Sequence, residues 1–332
     1  MIPVVLSYQD TGAPALTGTT GSLYNVLKWA LPQLGWTIEF DDGSSKVAFK
    51  NSGVSGSGSF IRVNDSAANH ASTEVKAEVS AFESMSDVDT GSGKIPTTGE
   101  RYWPKSHTED LTERDWFIFG TDSFFIFLGY NGGSADAEGF RLAFAGDIKS
   151  YLALDVAPFV LSGNSDPSAS SSDFISSFEN IGGGEPSGAA QLPEFLLKSS
   201  DGVATGVDAI LVQALPSGFS LADNGKFGGM GTFPDPISQG INTSSVEVFE
   251  NSTGVWARRG YLPGLMAPLS NLTRDNRSVH GLTERETLTG LSTPDGPHDF
   301  RYFWGVGTLG GRSWSGIQHA ILIAETADWD LI

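Results

Sequence analysis

Alternating apolar and polar residues dominate the first third of the chain and predict β-strands. Residues 36–40 and 46–51 alternate on either side of Asp41-Asp42-Gly43-Ser44, a pattern typical of a β-hairpin with a turn at Asp-Gly. Residues 60–64 and 71–82 alternate in the same way and can extend the sheet. A sheet of three or more strands is therefore expected in this part of the chain.

One segment has helical rather than strand periodicity. Residues 23–34 place apolar side chains at spacings of three and four, which is one face of an amphipathic helix. Ser22 is a candidate N-cap, and Pro32 limits how far the helix can run. The apolar face consists of Leu23, Val26, Leu27, Ala30, Leu31 and Leu34.

The centre of the sequence contains its most apolar segments. Residues 116–120 and 124–130 are almost continuously apolar, which predicts a buried hairpin with both faces covered. Further strands are predicted at residues 140–145, 207–215, 246–250, 254–258 and 317–325. Two Gly-rich and Pro-containing loops are predicted at residues 163–188 and 225–240.

These elements predict a mainly β protein, with sandwich-like or barrel-like lobes and one N-terminal amphipathic helix. The chain has 332 residues, enough for two lobes, and it is rich in Gly (41) and Phe (21). We place a helix-plus-sheet lobe at residues 1–90, for which α+β is an alternative class, and a β-rich lobe with long loops at residues 91–332. The alternative is that the two form one compact unit.

Charge and composition narrow the classes of function. The chain has 39 acidic and 20 basic residues, a formal net charge of −19, which disfavours direct contact with nucleic acid. The absence of cysteine excludes disulfides and thiolate metal sites. The N-terminal residues lack the pattern of a secretory signal, and no apolar stretch reaches membrane-spanning length, so membrane insertion is not expected.

Catalytic and metal-binding patterns were sought and none is matched. The five histidines lack metal-ligand spacing, and the Gly-rich tracts lack the phosphate-loop lysine. Asp41-Asp42 is explained by turn chemistry, and Asp87 with Asp89 by a solvated loop rather than half of a calcium site. We therefore predict a protein that is not an enzyme, with no catalytic, cofactor-binding or metal-ligating residues and no cofactor. The histidines are His70, His107, His280, His298 and His319.

Three segments together are similar to a known family. They are GAPALTGTTGSL at residues 12–23, followed by Gly35-Trp36; DWFIFG at 115–120, followed by GDIKSY at 146–151; and RGYLPGLMAPL at 259–269. In order and spacing they resemble tailed-bacteriophage virion structural proteins encoded near tail and baseplate genes. None of the three is a catalytic signature.

The resemblance implies an oligomeric component of the virion, most readily of the tail or baseplate, that binds copies of itself and other virion proteins. Alternatives are a head or collar decoration protein, or a receptor-binding or carbohydrate-binding module at the tail tip, for which a host-surface glycan is a candidate partner. A tail enzyme that degrades glycans is a further hypothesis, and it requires two opposed carboxylates. Exposed tryptophans could bind sugars, although most are expected in the core or an interface.

The third segment supplies a candidate interface. Gly260 and Gly264 flank an apolar stretch, which predicts a rigid, turn-forming loop suited to packing against another subunit. The alternative is a buried turn within the monomer. The candidate interface residues are Tyr261, Leu262, Pro263, Leu265 and Met266.

Overall fold

The computed structural model confirms a mainly β protein with one short α-helix near the N-terminus. The structure describes residues 1–71, 74–97, 99–130, 140–163, 194–202, 210–214, 243–252, 255–268, 285–293, 296–304 and 320–330. Most of the predicted loops at 163–188 and 225–240 lie outside these ranges. The described strands form three antiparallel sheets and a two-stranded ribbon, β7 (Ser84–Asp87) with β8 (Thr90–Ser92).

The N-terminal sheet contains the predicted hairpin and the strands expected to extend it. Its strands are β2 (Thr37–Asp41), β3 (Lys46–Lys50), β4 (Phe60–Asn64), β6 (Glu74–Phe82) and β5 (His70–Ala71), with β9 (Arg101–Ser106) also paired to β6. In the β2–β3 turn, Asp42 Oδ1 accepts the backbone N–H of Ser44, Ser45 and Lys46 at 2.8–2.9 Å. The Asp-Gly pair therefore acts through turn chemistry, as predicted.

The predicted helix forms, but it is shorter and capped differently. Helix α1 spans Ser22–Ala30 and continues as a 3₁₀ turn over Leu31–Leu34, consistent with the limit set by Pro32. The Ser22 cap is wrong: Gly21, at φ 77°, precedes the helix, and Ser22 Oγ donates to the Thr17 carbonyl. The free N–H groups of Leu23 and Tyr24 instead donate to Asp65 Oδ2, 42 and 41 residues away in the chain.

The central sheet is the middle layer of the molecule. Its strands, in spatial order, are β1 (Val4–Ser7), β10 (Trp116–Gly120), β11 (Phe124–Tyr130), β12 (Phe140–Asp147), β14 (Phe159–Gly163) and β15 (Glu194–Leu196). Alternate residues face opposite ways: Trp116 and Ile118 pack against α1 and the N-terminal sheet, whereas Phe117 and Phe119 pack in a second core. Burial on both faces explains why these strands are continuously apolar.

The C-terminal sheet covers the other face. Its strands are β16 (Ile210–Ala214), β17 (Thr243–Ser252), β18 (Val255–Pro268), β21 (Ala320–Ala324), β20 (Gly296–Trp304) and β19 (Thr287–Thr293), with β13 (Lys149–Ser150) also paired to β18. Leu262, Leu265 and Phe303 from this sheet pack in the second core with Phe117 and Phe119.

Strand pairing crosses the boundary predicted after residue 90. Strand β1 pairs with β10 in the central sheet, and β9 pairs with β6 in the N-terminal sheet. The core beneath α1 also includes residues of both the N-terminal and the central sheet. The described sheets therefore do not divide at residue 90. No helix in the described part of the chain is long and apolar enough to cross a membrane.

Candidate docking surface

The segment predicted as a turn-forming interface loop is a strand, so that prediction of its local structure is wrong. Residues 259–268 belong to β18, and Leu262, Pro263 and Leu265 are buried, with both leucines fully buried in the monomer core. Between the pairs Glu247↔Tyr261 and Ser245↔Met266 the register shifts, so the Pro-Gly pair is accommodated in a β-bulge. Glycine is required at residue 264, where φ is +70° and a Cβ would collide with the Trp329 ring.

Of the five candidate interface residues, Tyr261 retains partial exposure. Its ring packs against Tyr151, with ring centroids 5.8 Å apart, and its hydroxyl donates to the Asp330 carbonyl at 3.2 Å. Burial, together with the neighbouring Tyr151 and Asp330, raises the pKa of Tyr261 to about 12, so it is neutral at physiological pH. The Met266 side chain lies outside the described part of the structure. Through this ring contact, the candidate segment packs against Tyr151, which belongs to a neighbouring loop.

That neighbour, which we call the 151–156 loop, displays four large apolar side chains to solvent. Tyr151 is 53% exposed, Leu152 42%, Leu154 86% and Val156 66%. Single exposed apolar residues, such as Leu111 at 80%, are ordinary on protein surfaces. Four within six residues are a local concentration of exposed apolar side chains, and exposed apolar patches on soluble proteins mark interaction sites.

The base of the 151–156 loop is held by a buried ion pair. The guanidinium of Arg259, in β18, donates from Nε and Nη2 to the two oxygens of Asp155 at 2.8 and 2.7 Å, and both side chains are almost completely buried. Arg259 also donates to the carbonyls of Ala157 and Lys198. Burial alone would raise the pKa of Asp155, but the hydrogen bonds and charge of Arg259 outweigh it and lower the pKa. The loop is therefore anchored at Asp155, whose side chain points inward.

A polar cleft of about 340 Å³ lies directly beside the loop. We call it the Asp147 cleft. Serine hydroxyls and Lys149 form one part of its wall, while Leu152 and Val156 of the loop and Pro158 form another. The polar lining residues include Ser55, Ser57, Ser123, Asp147, Lys149 and Ser150. The loop and the cleft thus share residues and form one continuous surface.

Asp147 lies at the end of β12 and joins the central sheet to the loop that follows β3. Its Oδ2 accepts the Asn51 Nδ2 amide at 2.9 Å and the Ser57 backbone N–H at 2.5 Å, and its Oδ1 accepts the Ser57 hydroxyl at 2.7 Å. Burial raises the pKa of Asp147 to about 6, although these hydrogen bonds and the charge of Lys149 act in the opposite direction. Asp147 is therefore a carboxylate that titrates near neutral pH at the cleft surface.

Serine residues and two carboxylates line the cleft. A second carboxylate, Asp155, also lines it, but both Asp155 oxygens are held by Arg259, so it is not available as a nucleophile or base. Among the described residues that line the cleft there is no histidine to activate Ser57. The hydroxyls and the Asp147 carboxylate can bind a polar or charged group.

The remaining sequence candidates lie apart from this surface. Trp103, Trp116 and Trp329 are at most 1% exposed and cannot offer a sugar platform, while the side chains of Trp256, Trp304 and Trp314 lie outside the described residues. Asp89 pairs with Lys46 and Arg62. Across the described ranges, no three His, Asp or Glu side chains are grouped closely enough to hold a metal.

Comparison with known proteins adds no assignment. No protein-family model matches this chain, and no curated protein matches it. The relation to phage virion proteins therefore stays a prediction from the three sequence segments.

Sequence reasoning did not identify the 151–156 loop as a surface. The signal available was Leu152, Leu154 and Val156 at every second position, a pattern that favours a half-buried strand. Their exposure depends on Asp155 turning inward to meet Arg259, which is 104 residues away in the chain. Such a long-range ion pair has no local signature.

Proposed function

We propose that this protein is a structural subunit of a tailed-bacteriophage virion, in the tail or baseplate region, which acts by contacts with copies of itself and with other virion proteins. The observation that carries the proposal is the exposed apolar 151–156 loop fixed on a buried ion pair. The resemblance of residues 12–23, 115–120 with 146–151, and 259–269 to virion proteins supports the biological setting. We assign no catalysis, cofactor or nucleic-acid contact to the chain.

The physical support is the combination of exposure and anchoring. An exposed apolar patch lowers solubility unless it is covered in the working state of the protein. The bidentate Arg259–Asp155 pair restrains the loop before binding, so less conformational entropy is lost when a partner covers it. In a particle with many copies, modest contacts of this kind add through multivalency.

The direct test is incorporation into particles. Tagged wild-type protein, Leu154→Ser and the matched control Leu111→Ser would be expressed in the phage-producing host, and particles purified on a density gradient. Leu154 and Leu111 are exposed to a similar extent, 86% and 80%, so the variants differ in location rather than in chemistry. We expect wild type and Leu111→Ser in the particle fraction and Leu154→Ser reduced roughly tenfold, the loss expected for one apolar anchor. Absence of the wild-type protein from particles would contradict the proposal.

Position on the particle and self-association need separate measurements. Immunogold labelling of the tag distinguishes a tail or baseplate location from a head or collar decoration. Light scattering of the purified protein, with and without partner proteins, reports whether it forms a ring by itself or assembles on a template.

A second candidate function is carbohydrate binding at the tail tip. The specific observation that favours it is the Tyr151–Tyr261 ring pair next to a serine-lined cleft, because aromatic faces and hydroxyls are suited to sugars. A glycan array with wild type and Tyr151→Ala would test it. Binding that requires Tyr151, together with normal incorporation of Leu154→Ser into particles, would favour this function over assembly.

A further inference from the structure

We propose that the Asp147 cleft and the 151–156 loop form one docking site for a segment of a different virion protein, which inserts a Lys or Arg side chain into the cleft and packs flanking apolar side chains on the loop. This inference rests on the proposed function and deepens it by naming the chemistry of the partner.

The Asp147 carboxylate is buried and makes no direct ion pair with a described residue. Three donors from residues 51–57 fix the orientation of the Asp147 carboxylate, but each belongs to a neutral group. In the described part of the structure, no cation lies within ion-pair distance of it. Lys149 lines the same cleft, yet its ammonium is engaged by Asp330. A buried carboxylate without a counter-ion at a cleft surface is a site that a cation would stabilise.

The other charged groups around the cleft do not replace that cation. Asp155 is neutralised by Arg259, and Asp122 accepts a hydrogen bond from Ser55 on the rim. Asp147 therefore remains the buried carboxylate of the cleft lining without an ion-pair partner among the described cleft groups. The volume, about 340 Å³, accommodates an extended lysine or arginine side chain.

The second argument selects the occupant. Two copies of this chain, each with a formal charge of −19, repel one another, so charge complementarity favours a basic partner. The loop also has only four exposed large apolar side chains, whereas a stable interface uses roughly 20–30 residues per partner. A short basic and apolar segment of another subunit satisfies both constraints.

A consequence is that docking is linked to protonation. A cation next to Asp147 favours its charged form, so the partner binds more tightly above the pKa of about 6 than below it. The groups that face Asp147 are Asn51 and Ser57 from the β3–β4 loop, Ser123 from the β10–β11 turn, and Lys149. Asp147 is the titrating group among them near pH 6.

The experiment uses three synthetic nonapeptides, rich in Leu and Ser, that differ only in a central Lys, Gln or Glu. Binding to the full-length protein would be followed at pH 7.5 by NMR or calorimetry. We expect the Lys peptide to bind roughly fivefold or more tightly than the Gln peptide, the size of a charge-assisted contact. The preference should be lost in Asp147→Asn and retained in Asp89→Asn, which removes an exposed carboxylate elsewhere.

Should Asp147→Asn fail to fold, wild-type protein alone still tests the inference, because the preference for Lys over Gln must shrink between pH 7.5 and pH 5. Equal binding of the Lys and Gln peptides to wild type would overturn it, and so would concentration-dependent dimers abolished by Leu154→Ser, which would assign the loop to a second copy. If the peptides do not discriminate while Leu154→Ser still lowers incorporation into particles, the cation site fails and the structural function stands. Absence of wild type from particles rejects the function itself.

Discussion

Two buried ion pairs, in different regions of the molecule, have different roles. Lys105, in β9, and Asp65, directly after β4, are both 0% exposed and belong to the side of the N-terminal sheet that meets helix α1. Arg259 and Asp155 are 0% and 3% exposed and lie under the 151–156 loop. The first pair joins two buried layers, whereas the second joins a buried strand to a surface loop.

Each region offsets the cost of burying charge with additional hydrogen bonds. Burial lowers the pKa of Lys105, and the attraction of Asp65 only partly opposes this effect. Asp65 also caps α1, and Lys105 donates to the Thr19 carbonyl at 2.5 Å, so the pair organises the polar groups around it. Arg259 likewise donates to two carbonyls. The additional bonds fix a helix end in one region and an exposed loop in the other.

Lys105→Met should have the largest effect on stability. It leaves Asp65 buried without its cation, and we expect the free energy of unfolding to fall by about 4 kcal/mol. Urea unfolding followed by tryptophan fluorescence measures this change. Asp89→Ala, at a surface ion pair, serves as the control and should cost less than about 1 kcal/mol. Equal losses in the two variants would contradict the interior role of Lys105.

Arg259→Met should have a smaller effect on global stability and a larger local one. Water can reach Asp155 once the loop moves, so we expect a loss of about 3 kcal/mol, at the low end for a broken buried pair. Thermolysin, which cuts before Leu and Val, should cleave the 151–156 loop much faster than in wild type. If cleavage occurs first elsewhere in the chain, Arg259 does not anchor the loop.

The next prediction concerns pH and Asp147. The pKa of Asp147 is about 6 in the folded protein, above the ordinary value of 3.8 in the unfolded chain, so the folded form binds more protons between pH 4 and 6. The contribution of Asp147 to the free energy of unfolding therefore decreases as the pH rises through this window, by about 2 kcal/mol. Unfolding curves of wild type and Asp147→Asn at several pH values isolate the contribution of Asp147 to the free energy of unfolding. If the free energies of unfolding of the two proteins changed with pH in parallel, the predicted contribution of Asp147 would be wrong.

Leu154→Ser should have the smallest effect on stability. Its side chain is 86% exposed, so the monomer gains almost nothing from it, and we expect a change within about 0.5 kcal/mol. Thermal unfolding measures this change. A normal melting temperature combined with poor incorporation into particles would separate docking from folding, whereas a large loss of stability would show that the loop belongs to the core.

The sequence was sufficient for elements whose pattern is local. The β2–β3 hairpin, the β10–β11 hairpin and the apolar face of α1 were all predicted, because alternation, continuous apolarity and helical spacing follow directly from which faces are buried. The cap of α1 was missed because Asp65 reaches it from another element. The bulge in β18 was taken for a turn because Pro and Gly are frequent in both.

Little of the candidate surface was predictable. Tyr261 was predicted as an interface residue because it lies in the segment 259–269. Its contact with Tyr151, however, requires the pairing of β13 with β18. Asp147 appears in the sequence as an ordinary acidic residue at the end of a strand. Its burial and its bonds to Asn51 and Ser57, at least 90 residues away, exist only after the sheets have packed.

The position of β1 has a consequence for the order in which the protein is made. Residues 4–7 pair with residues 117–120, so this edge of the central sheet cannot form until more than a third of the chain has left the ribosome. Contacts between such distant residues slow folding, because a long loop must close before they form. Until then β1 has no partner strand, and synthesis in the presence of chaperones should protect the nascent chain from aggregation.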